Sequence, residues 1–336
     1  MAKRQPHVQS LEAKQAESRR PFLGEDILNN LDLGLMLIER ARKLLADVDQ
    51  LRDVIPSFDP FLEIGAGSAQ RSAALMNRYP VDGIATDISQ PSLRNAPYVM
   101  SLLNFTRLPL LICCDAHHLP FLPNTFHFVF AYQTLHHFEN PIPVVAECYR
   151  VLGKGGYLFF NEEPMDSRLR RFLRGNRTLG GSPTRLQRWG YRLHMEKLFW
   201  DDGAAERRAG ITEARFGIDL WCQTLEPFSE IDVEINSHLR IHNDLKKRGV
   251  ISWISGIIGG NVKGYALKAG GEPATGDFHQ RLMCLDCGTN LPVNLDAQLP
   301  CEQCGRVYPF TDGILRMLPA ELEVELYPQP SRISPS

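Results

Sequence analysis

The chain has 336 residues, of which 43% are hydrophobic and 23% are charged, and its formal net charge is −2. This length is typical of two domains, and the composition excludes a wholly disordered or fibrous chain. A near-neutral net charge weighs against a protein that coats nucleic acid non-specifically, because such proteins usually carry a strong excess of basic residues. The polar start of the chain lacks the apolar core of a secretory signal, and no run reaches the roughly 18 to 20 apolar residues of a bilayer span. We therefore expect a soluble, cytoplasmic protein.

Strand and helix patterns alternate along the first half of the chain, beginning with an amphipathic helix over Ile27–Leu51. The predicted strands that follow are Phe61–Ile64, Val81–Thr86, Leu108–Cys113, Phe126–Tyr132 and Tyr157–Asn161, and the helices between them are Ala69–Met76, Leu93–Leu103 and Pro141–Leu152. This alternation predicts an α/β fold of the Rossmann-like, doubly wound kind with a mostly parallel sheet. Strands over Glu230–Ile235 and Val262–Leu267 would complete a sheet of seven strands.

Composition divides the chain into segments. We expect residues 1–22 to be a flexible arm and residues 23–269 to be the α/β domain, with a helical insertion over 164–228 that covers the open edge of its sheet. Residues 281–318 are a small cysteine-rich unit. Residues 319–336 are acidic and then rich in proline and serine, a composition that predicts disorder.

A glycine loop follows the first predicted strand. Gly65 and Gly67 allow a tight turn and a close approach of a ligand to the backbone, although such glycines can also serve the turn alone. Asp87 ends the second strand, twenty residues after Gly67, where an acid can accept hydrogen bonds from ribose hydroxyls. Asp115 ends the third strand, where it can meet an adenine amine. Glu63 lies in the first strand and favours a positively charged nucleoside over a pyrophosphate.

The chain resembles class I S-adenosylmethionine (SAM)-dependent methyltransferases, in particular the type-11 branch. The matching segments are Glu63–Gly67, Asp87, Asp115–Ala116, Phe126–Phe130, Leu135–Phe138 and Arg150–Tyr157. Ala69 stands where the family commonly has a third glycine. The resemblance implies that Gly65 and Gly67 pass under the methionine part of SAM, that the sulfonium lies near the end of the sheet that carries Glu63, and that Ala66 also belongs to the cofactor site. It also implies that Asp87 holds the ribose and Asp115 the adenine amine, with Ala116 as a further residue of the cofactor site.

Candidate catalytic residues follow the fourth and fifth strands. His136, His137 and Glu162, with the neighbouring Glu163, lie at the sheet edge where such a fold binds ligands. Each could take a proton from the acceptor, a step needed only if the acceptor must lose one. The alternative is that the histidines cap a loop and the glutamates are solvated.

Eight arginines and no acidic residue occur between Arg168 and Arg192. Because this segment follows the fifth strand directly, it indicates an anionic acceptor, such as a phosphate, a carboxylate, a nucleotide sugar or RNA. The alternative is a solvated helix face that pairs with the acids further along the chain.

Two C-x-x-C pairs, Cys284/Cys287 and Cys301/Cys304, lie thirteen residues apart. Four thiolates satisfy tetrahedral Zn²⁺ and leave no open position, so the pattern predicts a structural zinc site, with iron or a metal-free remnant as alternatives. The segment Cys301–Leu318 resembles the small zinc-ribbon family that activates methyltransferases as a separate subunit, which implies a partner-type module joined to its enzyme.

Three functions stay open at this point. The first is methyl transfer from SAM to an anionic small molecule, and the second is methyl transfer to ribosomal or transfer RNA, with the zinc ribbon binding the substrate. The third is a non-catalytic adaptor whose methyltransferase fold is inert. The three acids at strand ends favour an enzyme over the adaptor.

Overall fold

The structure is a computed structural model, and it describes residues 30–166, 214–236, 240–243, 257, 259–270, 278–291 and 298–327. The predicted arm at 1–22, the segment Arg168–Arg192 and most of the predicted insertion lie outside the described residues.

Five parallel strands form the centre of one sheet. They are β1 (Phe61–Ile64), β2 (Gly83–Asp87), β3 (Leu110–Cys114), β4 (Phe126–Tyr132) and β5 (Leu152–Met165). Their spatial order is β3-β2-β1-β4-β5, so the winding of the chain reverses between β1 and β4. Folds of this type bind ligands beyond the carboxyl ends of the strands at such a reversal. The Rossmann-like prediction is confirmed, and β1 and β4 have the predicted bounds.

Helices cover both faces of this sheet. They are α1 (Leu31–Leu51), α2 (Gln70–Arg78), α3 (Gln90–Leu93), α4 (Ala96–Leu103) and α5 (Ile142–Val151). The side chain of Asn30 caps α1 by accepting a hydrogen bond of 3.1 Å from Leu33 N. Leu44 of α1 packs with Phe128 on one face, and Val144 of α5 packs with Val129 on the other. Alternate residues of β4 therefore pack into two different apolar cores, one on each face of the sheet.

Antiparallel strands extend the sheet beyond β5. Helix α6 (Ile218–Thr224) leads to β6 (Glu230–Asn236), β7 (Arg240–Asn243) and β8 (Gly260–Leu267). The order continues β5-β8-β6-β7, which confirms both strands predicted to complete the sheet. Trp221 of α6 is buried against Phe160, with ring centroids 5.1 Å apart.

Three strands of the cysteine-rich unit join the same sheet, which corrects the prediction of seven strands, and two others form a small sheet of their own. The strands of this unit are β9 (Leu282–Met283), β10 (Asn290–Leu291), β11 (Gln298–Pro300), β12 (Val307–Thr311) and β13 (Ile314–Met317). Strand β13 pairs in parallel with β3, and β12 and β11 follow, giving eleven strands in the described part of the chain. The physical reason is that β3 would otherwise be an edge strand with unpaired backbone groups.

A helix, α7 (Ala320–Leu326), lies within the segment 319–336 that was predicted to be disordered. Leu322 is buried and packs in the same cluster as Ile88 and Leu93. Arg316 of β13 forms an ion pair of 2.7 Å with Glu323. The disorder prediction is therefore wrong for residues 320–326, because these contacts offset the acidic composition.

Within the described ranges, none of the helices combines the length and the apolar character that crossing a bilayer requires.

Candidate active site and cysteine cluster

The glycine loop joins β1 to α2 at the point where the strand order reverses. Gly65 has a φ of +67°, and a Cβ there would lie 2.4 Å from Thr134 Cγ2, so a larger residue cannot fit. Gly67 has a φ of +57°, and a Cβ there would meet no atom within 4 Å. Ala66 N donates a hydrogen bond of 2.9 Å to Thr86 O, which ties the loop to β2. The loop is therefore fixed at Gly65 and open at Gly67.

Three non-glycine residues near this edge have left-handed backbones. Ala69, at the end of the loop, has a φ of 56°. Gln133, which directly follows β4, has a φ of 51°, and Glu162, at an irregularity within β5, has a φ of 61°. Ala69 thus takes the conformation that a glycine would adopt more readily. Such conformations cost free energy and cluster at functional sites.

The carboxylate of Asp87 braces the loop. Asp87 Oδ2 accepts a hydrogen bond of 2.8 Å from Gly67 N, and Oδ1 accepts one of 2.8 Å from Ser89 N. Asp87 therefore stands beside Gly67, as the sequence motif requires, and fixes the distance between the ends of β1 and β2.

Asp115 binds two histidines of its own loop. Its Oδ1 accepts from His117 N and contacts His117 Nδ1, both at 2.9 Å, and His118 Nδ1 lies 3.3 Å from Oδ2. Burial favours the neutral carboxyl, but the hydrogen bonds from His117 and His118 outweigh it and hold the pKa of Asp115 well below its usual range. Ala116 is half-buried beside it. The sequence analysis missed both histidines, although they directly follow Asp115–Ala116.

Glu63 is buried at the end of β1 and points toward α2. Its Oε2 accepts hydrogen bonds from Ser72 N at 3.1 Å and from Ser72 Oγ. Its Oε1 has no hydrogen-bond partner among the described residues. Burial raises the pKa of Glu63 to about 7, although Arg71 and the hydrogen bonds from Ser72 act in the opposite direction.

A polar cluster that the sequence analysis did not detect lies between α1 and the ends of β4 and β5. Tyr132 Oη and Asn161 Nδ2 each donate a hydrogen bond of 2.6 Å to Asp47 Oδ2, and Lys263 Nζ donates one of 2.7 Å to Oδ1. Burial and the nearby Asp47 raise the pKa of Tyr132 well above its ordinary value of 10, so its hydroxyl stays protonated. Through this hydrogen bond to Asp47, Tyr132 links β4 to α1.

The candidate catalytic residues occupy two different environments. Glu163 is fully buried and accepts hydrogen bonds from the backbone N–H groups of Thr134, Leu135 and His136 at 2.8 to 3.1 Å. It also contacts His136 Nδ1 at 2.8 Å, and the ring of His136 lies 4.2 Å from that of His137. Glu163 therefore shapes the loop after β4 and orients one histidine.

Glu162 points in the other direction, toward α1 and α2. It accepts a hydrogen bond from Lys43 Nζ, and its Oε2 lies 3.7 Å from Arg71 Nη2. The solvated alternative does not hold for either glutamate, since Glu162 is 19% exposed and ion-paired.

The four cysteines of the C-terminal unit converge. Their Sγ atoms all lie within 4.8 Å of one another, with 3.6 Å between Cys284 and Cys304 and 3.5 Å between Cys287 and Cys301. A tetrahedron with metal–sulfur bonds of about 2.3 Å has sulfur–sulfur edges of about 3.8 Å, so the four thiols fit one metal ion.

The two halves of the cysteine cluster have the same backbone geometry. Gly288 N donates to Cys284 O at 2.9 Å, and Gly305 N donates to Cys301 O at 2.8 Å. Both glycines have a φ of +75° with open space around them, as the turn after each pair requires. Tyr308 Oη lies 3.2 Å from Cys284 Sγ and accepts from Leu285 N at 2.8 Å. This buried tyrosine is a neighbour of the cluster that the spacing of cysteines alone does not reveal.

Comparisons with known proteins give matches to the central part of the chain. Residues 62–160 match the family model described as "Methyltransferase domain". A curated malonyl-acyl-carrier protein O-methyltransferase from Marinomonas sp. (strain MWYL1) is 32% identical over 104 residues. That alignment covers 31% of this chain and 37% of the relative, so the chain spans little more than a third of the relative's length.

Solved structures with similar folds include two further proteins. Phosphoethanolamine N-methyltransferase 2 of Haemonchus contortus is 13% identical, with a TM-score of 0.44 over 76% of this chain and 59% of that one. The complex of the Trm112 methyltransferase activator of Haloferax volcanii with a methyltransferase is also 13% identical, with a TM-score of 0.41 over 70% and 94% of the two chains. The family match spans the glycine loop, Asp87 and Asp115, so the residues of the candidate site lie within the part of the chain that matches a methyltransferase domain.

Proposed function

We propose that the protein transfers the methyl group of SAM to a small anionic acceptor. The observation that carries the proposal is the pairing of Asp87 with the Gly67 amide, at the reversal of strand order, within the matched domain. The residues fit the cofactor, because a Cβ at Gly67 would meet only open space and Asp87 stands beside it. The loop would then lie against the methionine part, and the end of β2 against the ribose.

The chain's own residues would chiefly orient the reactants. SAM supplies an activated methyl group, and alignment of donor and acceptor is worth up to about 7 to 11 kcal/mol. Where the acceptor must lose a proton, we propose His136 as the base. Because Glu163 contacts its Nδ1, the proton would be taken at Nε2.

The binding step is tested by changing Asp87 to Asn. We expect SAM affinity, measured by isothermal titration calorimetry, to fall about 10- to 100-fold, since a charge-assisted hydrogen bond is worth about 1.5 to 3 kcal/mol. Asp82→Asn is the matched control, because Asp82 lies before the same strand and pairs instead with Arg107. A wild-type protein that does not bind SAM, or an Asp87→Asn variant with unchanged affinity, would contradict the proposal.

The role of His136 makes a separate prediction. We expect His136→Gln to lower kcat by about 10²- to 10⁴-fold, the usual contribution of a positioned base, while SAM affinity stays within about twofold. His137→Gln is the companion variant, since the two rings are neighbours. If kcat is unchanged in His136→Gln, or if kcat falls only in His137→Gln, His136 is not the base.

The acceptor class rests on charge. The eight arginines between Arg168 and Arg192 favour an anion, and the name of the curated relative indicates methyl transfer to an oxygen of a malonyl group. Labelled SAM would be incubated with the protein and with cell extract separated into small-molecule, protein and RNA fractions. Label in the small-molecule fraction supports the proposal. Label in RNA, with binding that falls steeply as salt rises, would favour the RNA alternative instead.

We also propose that the cysteine cluster holds one structural Zn²⁺. The four thiols match the donor set and the spacing of a closed tetrahedral site. Strand β13 of this unit covers β3, so the ion would stabilise an extension of the catalytic sheet.

A further inference from the structure

The loops that follow β3 and β4 touch through the rings of two side chains. The ring of His117 meets the ring of Phe138 edge to face, with centroids 5.1 Å apart and an angle of 85° between the planes. In the sheet, β3 and β4 are separated by β2 and β1, so the two strands lie three strand spacings, or roughly 14 Å, apart. Strand pairing therefore does not impose this contact, and the two loops reach toward each other to make it.

Asp115 holds the ring of His117 in place. His117 Nδ1 lies 2.9 Å from Asp115 Oδ1, and the backbone N–H of His117 donates to the same oxygen at 2.9 Å. Because the pKa of Asp115 lies well below its usual range, the carboxylate is ionised, and the proton of this ring hydrogen bond belongs to Nδ1. The side chain of His117 is 16% exposed, so it contacts both Asp115 and Phe138 from a largely buried position.

Phe138 lies in the loop that carries His136, the proposed base. It directly follows the 3₁₀ turn Leu135–His137, and we call residues 135–138 the acceptor loop. Glu163 binds the beginning of this loop through backbone N–H groups, whereas the ring contact with His117 is at its end. A shift of the His117 ring would therefore move the end of the acceptor loop.

We propose that His117 is a positioning residue that couples an occupied adenine pocket to the acceptor loop. The inference rests on the proposed function, with the adenine amine bound to Asp115 as the family resemblance implies. A bound amine restricts the Asp115 carboxylate, the carboxylate restricts the ring of His117, and that ring supports Phe138. Cofactor binding therefore orders the acceptor loop, and by thermodynamic linkage an acceptor on that loop strengthens cofactor binding to the same degree.

The neighbouring His118 provides a matched comparison. Its Nδ1 lies 3.3 Å from Asp115 Oδ2, and its side chain is 32% exposed. Among the described residues, the ring contact with Phe138 is made by His117 and not by His118. The two histidines thus share one carboxylate, but only His117 joins that carboxylate to the acceptor loop.

The test uses S-adenosylhomocysteine as the probe, because it needs no identified acceptor. We expect it to slow hydrogen exchange of the peptide 133–140 about tenfold in the wild-type protein. His117→Asn keeps a donor near the place of Nδ1 and removes the ring, so its affinity for the probe, measured by calorimetry, should stay within about twofold while this protection is lost. His117→Phe keeps a ring and removes the donor, so the protection should be lost and the affinity should fall about 3- to 10-fold.

Two further variants complete the test. Phe138→Leu removes the partner ring and should behave like His117→Asn, so it decides the matter if thermal unfolding shows that His117→Asn is misfolded. His118→Asn should keep the protection. If the wild-type protein does not bind the probe, the proposed function itself fails. If it binds the probe with unchanged exchange at 133–140, if His117→Asn and Phe138→Leu keep full protection, or if His118→Asn loses it equally, the contact is packing only and the role of His117 is overturned.

Discussion

Removing the metal from the cysteine cluster is expected to unfold the C-terminal unit and to lower the unfolding temperature of the whole chain. Structural zinc contributes on the order of 10 kcal/mol to units of this kind, which bury too little apolar surface to fold alone. Leu282, Tyr308 and Leu315 belong to the same apolar core as the central sheet, so the loss should not stay local. Differential scanning calorimetry with and without a strong chelator measures this loss, and elemental analysis should find one zinc ion per chain.

The same treatment should also weaken SAM binding. Gln90, three residues after Asp87, donates to Thr311 Oγ1 at 3.2 Å and accepts from Arg316 Nη1 at 2.9 Å. The C-terminal unit therefore contacts the start of α3, which closely follows Asp87. Cys284→Ser should reproduce both effects, whereas Cys222→Ser, a thiol outside the cluster, should reproduce neither. Protein that contains no metal, or that unfolds at the same temperature after chelation, would contradict the zinc assignment.

The second large effect concerns Glu63. Because burial raises its pKa from an ordinary value of 4.5 to about 7, the folded chain holds this proton more tightly than the unfolded chain does. The free energy of unfolding should therefore fall as pH rises from about 4.5 to 7. Above pH 7 it should stay at this lower value. A shift of this size corresponds to about 3 kcal/mol.

Glu63→Gln should remove that cost, because the amide resembles the protonated acid and its oxygen can still accept from Ser72. We expect the variant to be more stable than the wild type by about 3 kcal/mol at pH 8 and equal to it near pH 4.5. Urea denaturation between pH 4.5 and 8 measures the difference. Glu321→Gln, at an exposed site on α7, is the control. Stability curves that run parallel for the wild type and Glu63→Gln across this range would show that the carboxyl carries no such cost.

Local patterns were sufficient to predict the central sheet and the outline of the site. The strands Phe61–Ile64 and Phe126–Tyr132 are continuous apolar runs bounded by polar or turn residues, so their limits could be read directly. The glycine loop, Asp87 and the cysteine pairs have fixed spacings, and the structure brings each set together.

Contacts between distant segments could not be predicted in this way. Arg71 reads as an ordinary helix residue until Tyr132 and Glu162 are placed around it. The pairing of β13 with β3 joins residues about two hundred positions apart, and neither strand carries a local signal for its partner. The acidic composition of α7 concealed a helix that forms because Leu322 finds a buried surface.

The pairing of β13 with β3 has a consequence for how the unit stays in place. Because both strands belong to one chain, the tether sets their effective local concentration, which dilution of the protein does not change. A free-standing subunit occupying the same edge would dissociate at low concentration, and it would first have to displace β13. The protein therefore carries its own permanent cover for this edge, at fixed one-to-one stoichiometry.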